Sequence, residues 1–193
     1  MRGGKHKMKI STNELVLASM FTAVMCTLTI LVRIFQPVIL IPFSLQPLVM
    51  LLAACLLSPP AAFLSMLAYL FLGLLGLPVF SVPPYGGPAY VFIPSFGFLL
   101  GFPPAAWLQS RLIRRNNFAN FVLAGLAGIA VYYAVGLPYI YLIMKFYLGN
   151  TLNILQVIKI GFIPFIGFDL LKLILASLLA VELSRRLAVR RGI

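Results

Sequence analysis

A chain of 193 residues that is 62% hydrophobic and only 9% charged lacks the polar surface of a water-soluble domain, in which about 25% of residues are charged. The composition excludes such a domain and makes this an all-α integral membrane protein: the apolar runs are continuous and Leu-rich, without the alternating segments of about ten residues that build a transmembrane barrel. A helix crosses hydrocarbon with about 20 residues, so this length accommodates six crossings, short connections and no sizeable soluble domain. The net charge of +12 reads as membrane topology rather than nucleic-acid binding, because the basic residues sit at the ends of apolar runs and not in one patch interleaved with aromatics.

Arg2, Lys5, Lys7 and Lys9 precede the first apolar run. That order resembles a signal peptide, but no small-x-small cleavage site follows and further apolar runs come after it, so the run reads as an uncleaved first span over 13–32. Ser11 or Thr12 is its expected N-cap, with Glu14 in the first turn. Pro37, Pro42 and Pro47 interrupt any long helix in the connection that follows. Span two, 45–57, is short for a crossing. Ser58-Pro59-Pro60 predicts a tight turn with proline early in the next helix, and span three covers 61–76.

The segment 77–95 carries no charge, five prolines, the Gly86-Gly87 pair and the tyrosines Tyr85 and Tyr90. Backbone this apolar is expected to fold back over the bundle as a cap, since irregular backbone at membrane depth is tolerated only against protein or a wet cavity. The glycines allow a close approach of the backbone to a ligand. Without a Gly-Lys-Ser/Thr step, the segment is no phosphate cradle, so ATP hydrolysis is not expected of this chain.

Span four, 96–113, contains Gly97-x-x-x-Gly101, a pattern that permits close helix contact. Span five is 119–143, with Ala124-x-x-x-Gly128, and a connection holding Lys145 and Lys159 leads to span six, 162–183. With the N-terminus in the cytoplasm, eleven Lys and Arg fall on inside segments and three, Arg33, Lys145 and Lys159, on outside ones. This bias puts both termini in the cytoplasm and the cap segment outside.

Span six supplies the sharpest signal. Asp169 and Lys172 lie within an otherwise apolar stretch, where one charge costs about 2.5–3.5 kcal/mol on insertion scales. Three residues apart, they share a helix face. They present a negative acceptor and a positive donor, suited to a small ligand with a donor end and an anionic end. The competing reading is an ion pair that only fixes packing. Pro164-Phe165-Ile166-Gly167 is expected to break the first turn of this helix and bring the pair toward the outer mouth. Gln46 is an uncharged polar group beside that mouth, either a ligand contact or a loop hydrogen bond. Ser19-x-x-x-Ala23 on span one is either a packing step or a docking face for another membrane subunit. Most aromatics of the outer connections read as an interfacial belt. Cys26 and Cys55 have neither metal-ligand nor disulfide spacing, no metal site is expected, and there is no Ser/His/Asp or Cys/His set. The sole histidine, His6, lies in the basic start.

Four stretches together resemble one family: IPFSLQPLVMLLAACLLSP before and into span two, LAYLFLGLLGLPVFS ending span three, GGPAYVFIPSFGFLLGF opening span four, and IPFIGFDLLKLILA in span six. They are similar, in order, to the BioY family, the biotin-specific S-components of energy-coupling factor (ECF) transporters. The resemblance implies a six-helix S-component in the bacterial plasma membrane that binds biotin from outside as its transported ligand and needs no cofactor. It implies a transmembrane coupling protein and two ATP-binding-cassette ATPases as partners. By the same resemblance Asp169 and Lys172 match the helix-six ligand pair, Gly86, Gly87 and Tyr90 the third-loop lid with Tyr85 beside them, and Gln46 a first-loop contact. Ser19 and Ala23 fall where S-components carry an Ala-x-x-x-Ala motif that meets the coupling protein, with Ser in place of the first Ala. Other readings of the residues are an S-component for another vitamin or small heterocycle, a ligand-free structural subunit, and an intramembrane enzyme short of catalytic groups.

Overall fold

Apolar runs of this length bury their backbone polar groups best as helices, and helices account for the regular structure of the computed structural model. It describes residues 10–35, 44–150 and 152–187. The helices are α1 (Thr12–Phe35), α2 (Gln46–Leu56), α3 (Pro59–Leu74), α4 (Phe96–Leu112), α5 (Phe118–Leu142), α6 (Ile154–Gly161) and α7 (Ile163–Leu187), and no strand occurs among the described residues. The basic start with His6, the prolines Pro37 and Pro42, and Arg190 and Arg191 lie outside them.

Local chemistry sets the helix starts. Ser11 caps α1: its Oγ accepts from the Glu14 N–H at 3.2 Å while its own N–H donates to Glu14 Oε2 at 3.0 Å, a reciprocal box that satisfies two otherwise orphaned donors. Prolines occupy the first turns of α2 and α3, where a missing N–H costs nothing. Pro47 therefore opens α2 rather than interrupting a helix. Asn117 caps α5 by accepting from the Asn120 N–H at 2.9 Å.

The chain departs from the sequence expectation between α5 and α7. The expected connection contains structure: α5 runs on into a π turn over Ile143–Tyr147 that includes Lys145, and Lys159 sits inside α6. The capping box of Asn153 and Gln156 starts that short helix. The expected break at Pro164–Gly167 also falls elsewhere. α7 is continuous from Ile163, with Pro164 tolerated in its first turn, and the interruption lies at Phe162, between α6 and α7.

Packing brings α4 against α5 most extensively, with α3 on α4, α2 on α7 and α1 on α3. The α4–α5 seam is close because glycines face side chains across it. A Cβ on Gly101 would lie 2.7 Å from Tyr132 Cα, and Cβ atoms on Gly97 and Gly136 would run into Tyr139 and Phe98. Polar braces cross the interior: Gln109 Nε2 donates to the Leu51 carbonyl at 3.0 Å, and Ser110 Oγ to the Leu57 carbonyl at 2.6 Å. Cys55 is buried, where its sulfur accepts from Gln109 Nε2 at 3.3 Å, and Cys26 is half-buried; the two do not form a disulfide.

The outward faces remain apolar. On α7, Leu171, Ile174, Leu175, Leu178 and Leu179 are exposed, whereas Asp169, Lys172, Leu173, Ala176, Ser177 and Ala180 are buried. A helix whose greasy side faces out and whose ionisable side faces in is built for lipid. Helices α1, α5 with its π extension, and α7 are long and apolar enough to cross a membrane; α2 and α3 are apolar but shorter.

Candidate functional site

Asp169 and Lys172 meet inside the bundle. Lys172 Nζ donates to Asp169 Oδ1 at 2.8 Å, and the two residues are 4% and 5% exposed. The other carboxylate oxygen, Oδ2, accepts from the hydroxyls of Tyr132 and Tyr133, each at 2.8 Å. The carboxylate thus receives three donors from two helices, which is how a charge at this depth is tolerated. The pair is electrically neutral as a unit and faces a cavity, not lipid.

That cavity has a volume of ≈ 300 Å³ and is lined by residues of α2, the 77–95 segment, α4, α5, α6 and α7. This is the lower end of the range for small-molecule sites. Its walls are largely aromatic and aliphatic, with Phe98, Leu99, Phe102, Ile140, Met144, Ile160 and Phe165 among them. Its polar lining comes from Ser44, Gln46, Ser81, Tyr90, Ser95, Tyr132, Tyr133, Asp169 and Lys172. Phe98 meets Tyr133 edge to face with centroids 5.5 Å apart, Phe102 meets Tyr132 at 5.6 Å, and Phe162 meets Tyr133 at 5.0 Å. Edge-to-face packing of this kind fixes ring orientation, and with it the position of both phenol oxygens.

The 77–95 segment packs over the bundle, burying Val79, Phe80 and Tyr90. Tyr90 sits in a 3-10 turn, Pro88–Phe92, and its ring lies 4.3 Å from that of Phe80. Burial pushes its phenol above the ordinary range, so at neutral pH it is a neutral donor at the cavity. Gln46 also lines the cavity and is held on both sides: Ser44 Oγ donates to Oε1 at 2.8 Å, and Nε2 donates to the Tyr69 hydroxyl at 2.5 Å.

The structure places Gly86 and Gly87 beside α3 rather than on the cavity wall. The Gly87 N–H donates to the Gly73 carbonyl at 2.7 Å, and any Cβ on Gly86 would strike the Leu77 carbonyl. Gly87 has φ +89°, a value L side chains seldom adopt. The pair lets the segment seal against the end of α3. Tyr85 is likewise off the cavity wall, its ring lying 4.3 Å under the Arg33 guanidinium. Ser19 and Ala23 are exposed on the outer face of α1, and the Ser19 hydroxyl is satisfied within the helix by the Leu15 carbonyl at 2.9 Å.

Sequence reasoning missed Tyr132 and Tyr133. Their signal is position: adjacent phenols in the middle of span five, far from either interface where tyrosines ordinarily collect. Among the described residues no group of three His, Cys, Asp or Glu side chains is arranged to hold a metal.

An all-helical membrane bundle enclosing a small cavity, walled by rings and furnished with one acid and one base, is the architecture of a solute-binding membrane subunit. The fold matches the crystal structure of the S-component for biotin from an ECF-type ABC transporter, with TM-score 0.73, 22% identity, and coverage of 94% of this chain and 100% of that one. The chain belongs to the BioY family, whose model it matches over residues 5–189. It is 36% identical over 186 residues to the probable biotin transporter BioY of Lysinibacillus sphaericus, covering 95% of this chain and 92% of that one. It is 34% identical over 174 residues to the biotin transporter BioY of Thermotoga maritima, covering 89% and 96%. These relatives are transporters by name, not enzymes.

Proposed function

We propose that this chain is the biotin-binding S-component of an ECF transporter, forming one integral membrane unit over residues 1–193. Six helices cross the plasma membrane, both termini are cytoplasmic, and the 77–95 segment roofs the cavity on the outer side. Biotin is the transported ligand and no cofactor takes part. A transmembrane coupling protein docks on the Ser19 and Ala23 face of α1, and two ATP-binding-cassette subunits hydrolyse the ATP that drives uptake.

The observation that carries this reading is the buried Asp169–Lys172 pair opening onto a partly enclosed, mostly apolar cavity. Biotin has a ureido ring with two N–H donors and one carbonyl, an apolar fused body with a valeryl chain, and a carboxylate. Asp169 accepts from the ureido N–H groups, and Lys172 donates to the ligand's acceptor. The apolar body lies against Phe98, Phe102 and Phe165, while Gln46 and Tyr90 contact the ligand from the mouth side. Gly86, Gly87 and Tyr85 shape the roof without touching the ligand. Among these largely apolar walls each polar contact is worth more than at an open surface.

Mass spectrometry of the small molecule that co-purifies tests the ligand: biotin is the expected species. Another vitamin or heterocycle would overturn biotin and keep the architecture. A chain that retains nothing, and that no vitamin stabilises against heat, would overturn both. Tyr132→Phe and Tyr133→Phe are each expected to weaken biotin binding several-fold, because each removes one donor from Asp169. The double variant is expected to lose at least tenfold, about 1.4 kcal/mol, by titration calorimetry. Unchanged affinity in the double variant would show that the phenols do not prepare the carboxylate for ligand.

A further inference from the structure

We propose that Arg33 is the latch that fastens the roof of the cavity to α1, a positioning residue for ligand retention; this rests on reading the cavity as the solute site. Arg33 lies in the last turn of α1. Its Nη1 donates to the Pro78 carbonyl at 2.9 Å and reaches the Phe80 carbonyl at 3.5 Å. The carbonyl between them, that of Val79, accepts from the Tyr69 hydroxyl at 2.8 Å. Three successive roof carbonyls are therefore held by side chains of α1 and α3.

The same guanidinium lies 4.3 Å from the centroid of the Tyr85 ring. Tyr85 is brought there by a tight loop, in which the Phe80 N–H donates to the Tyr85 carbonyl and the Tyr85 N–H to the Val82 carbonyl, both at 2.8 Å. Tyr85 adopts φ 66°, a left-handed backbone that a non-glycine residue holds only where its surroundings compensate. Phe80, next to the latched carbonyls, is fully buried against Tyr90, and Tyr90 lines the cavity. Arg33 thus holds the roof at three points, and the roof holds a cavity wall.

The chemistry requires arginine. One nitrogen, Nη1, reaches both carbonyls while the guanidinium carbon lies over the Tyr85 ring, so the extended guanidinium makes the polar and the ring contacts together. A compact ammonium cannot occupy both places at once. A positive charge serving only to end a span would be replaced by lysine without consequence.

Two measurements test the latch. The first needs no ligand: in a Cys26→Ala background, with Cys55 only 2% exposed, Ser81→Cys is labelled with a water-soluble maleimide. Arg33→Ala is expected to raise the labelling rate several-fold, and Arg33→Lys and Tyr85→Leu by intermediate amounts. The second follows dissociation of labelled biotin from proteins with native Ser81. Arg33→Ala is expected to release it at least tenfold faster with association no slower, and Arg33→Lys to restore retention only in part. Equal labelling in all variants would overturn the latch whether or not biotin is the solute. So would full restoration by lysine, or a loss of affinity carried wholly by slower association. Absence of biotin binding in the parent protein, with labelling still raised by Arg33→Ala, would overturn the ligand and leave the latch standing.

Discussion

Asp169→Asn is expected to weaken biotin binding at least tenfold, about 1.4 kcal/mol, and to lower the melting temperature of the ligand-free protein. The carboxylate takes three donors, from Lys172, Tyr132 and Tyr133, each at 2.8 Å. An asparagine amide turns one of its two ends into a donor, so the former set of donors can no longer all be accepted. It also strips Lys172 of its carboxylate in a site where both residues are at most 5% exposed. Removing one partner of a buried ion pair costs about 3–5 kcal/mol, because the other charge is left without compensation. Lys172→Met makes the same break from the other side.

The double variant, Asp169→Asn with Lys172→Met, separates stability from function. It removes both charges and is expected to melt above either single variant, since no charge is left buried without its partner. It is still expected not to retain biotin, because acceptor and cation are both gone. Wild-type affinity in both single variants would reject the roles assigned to the pair. Restored binding in the double variant would show that the pair serves packing alone.

Gly101→Ala, a change of one methyl group on a helix that gives Asp169 no hydrogen bond, is expected to reduce biotin binding at least tenfold, about 1.4 kcal/mol. The new Cβ would stand 2.7 Å from Tyr132 Cα and 2.9 Å from Tyr132 Cβ. Backbone cannot rotate out of the way as a side-chain tip can, so α5 must move, at an overpacking cost of about 1–3 kcal/mol. The displaced residue is the one whose hydroxyl reaches Asp169. Gly167→Ala is the matched control. It lies two residues from Asp169 in sequence, yet a Cβ there meets nothing within 4 Å, and alanine favours the helix. Calorimetry on both variants is expected to show loss for the first and parental affinity for the second. Parental affinity in both would show that the α4–α5 seam does not position the phenol.

The parts legible in the sequence were those whose signals are local. An acid and a base in a run of leucines stand out because charge at membrane depth is costly, and their spacing alone puts them on one face. Gly97-x-x-x-Gly101 announced the close helix contact that α4 makes with α5. Ser11 and Glu14 announced the start of α1. The rest depends on tertiary placement. α6 was obscured because its eight residues, Ile154–Gly161, merge into the apolar run that follows, and the interruption between α6 and α7 is a single residue, Phe162. Pro164 was misread as a breaker because proline punctuates a helix and also opens one. Tyr132 and Tyr133 went unnoticed because tyrosine in a membrane chain ordinarily marks the interface; what distinguishes them is the carboxylate on another helix. Arg33 counted only toward topology, because the carbonyls it bonds lie more than forty positions along the chain.

The glycine seam between α4 and α5 has a consequence for which molecules are admitted. With Tyr132, Tyr139 and Phe98 seated where no Cβ fits, these two helices pack at close range, and the contour they offer to the cavity is a mould. The opposite boundary is a strap of loop held by a few side-chain bonds. Under the proposed function, discrimination among similar solutes falls to the mould and the timing of entry to the strap, so an analogue bulkier on the mould side is expected to bind weakly and one extended toward the strap to bind slowly.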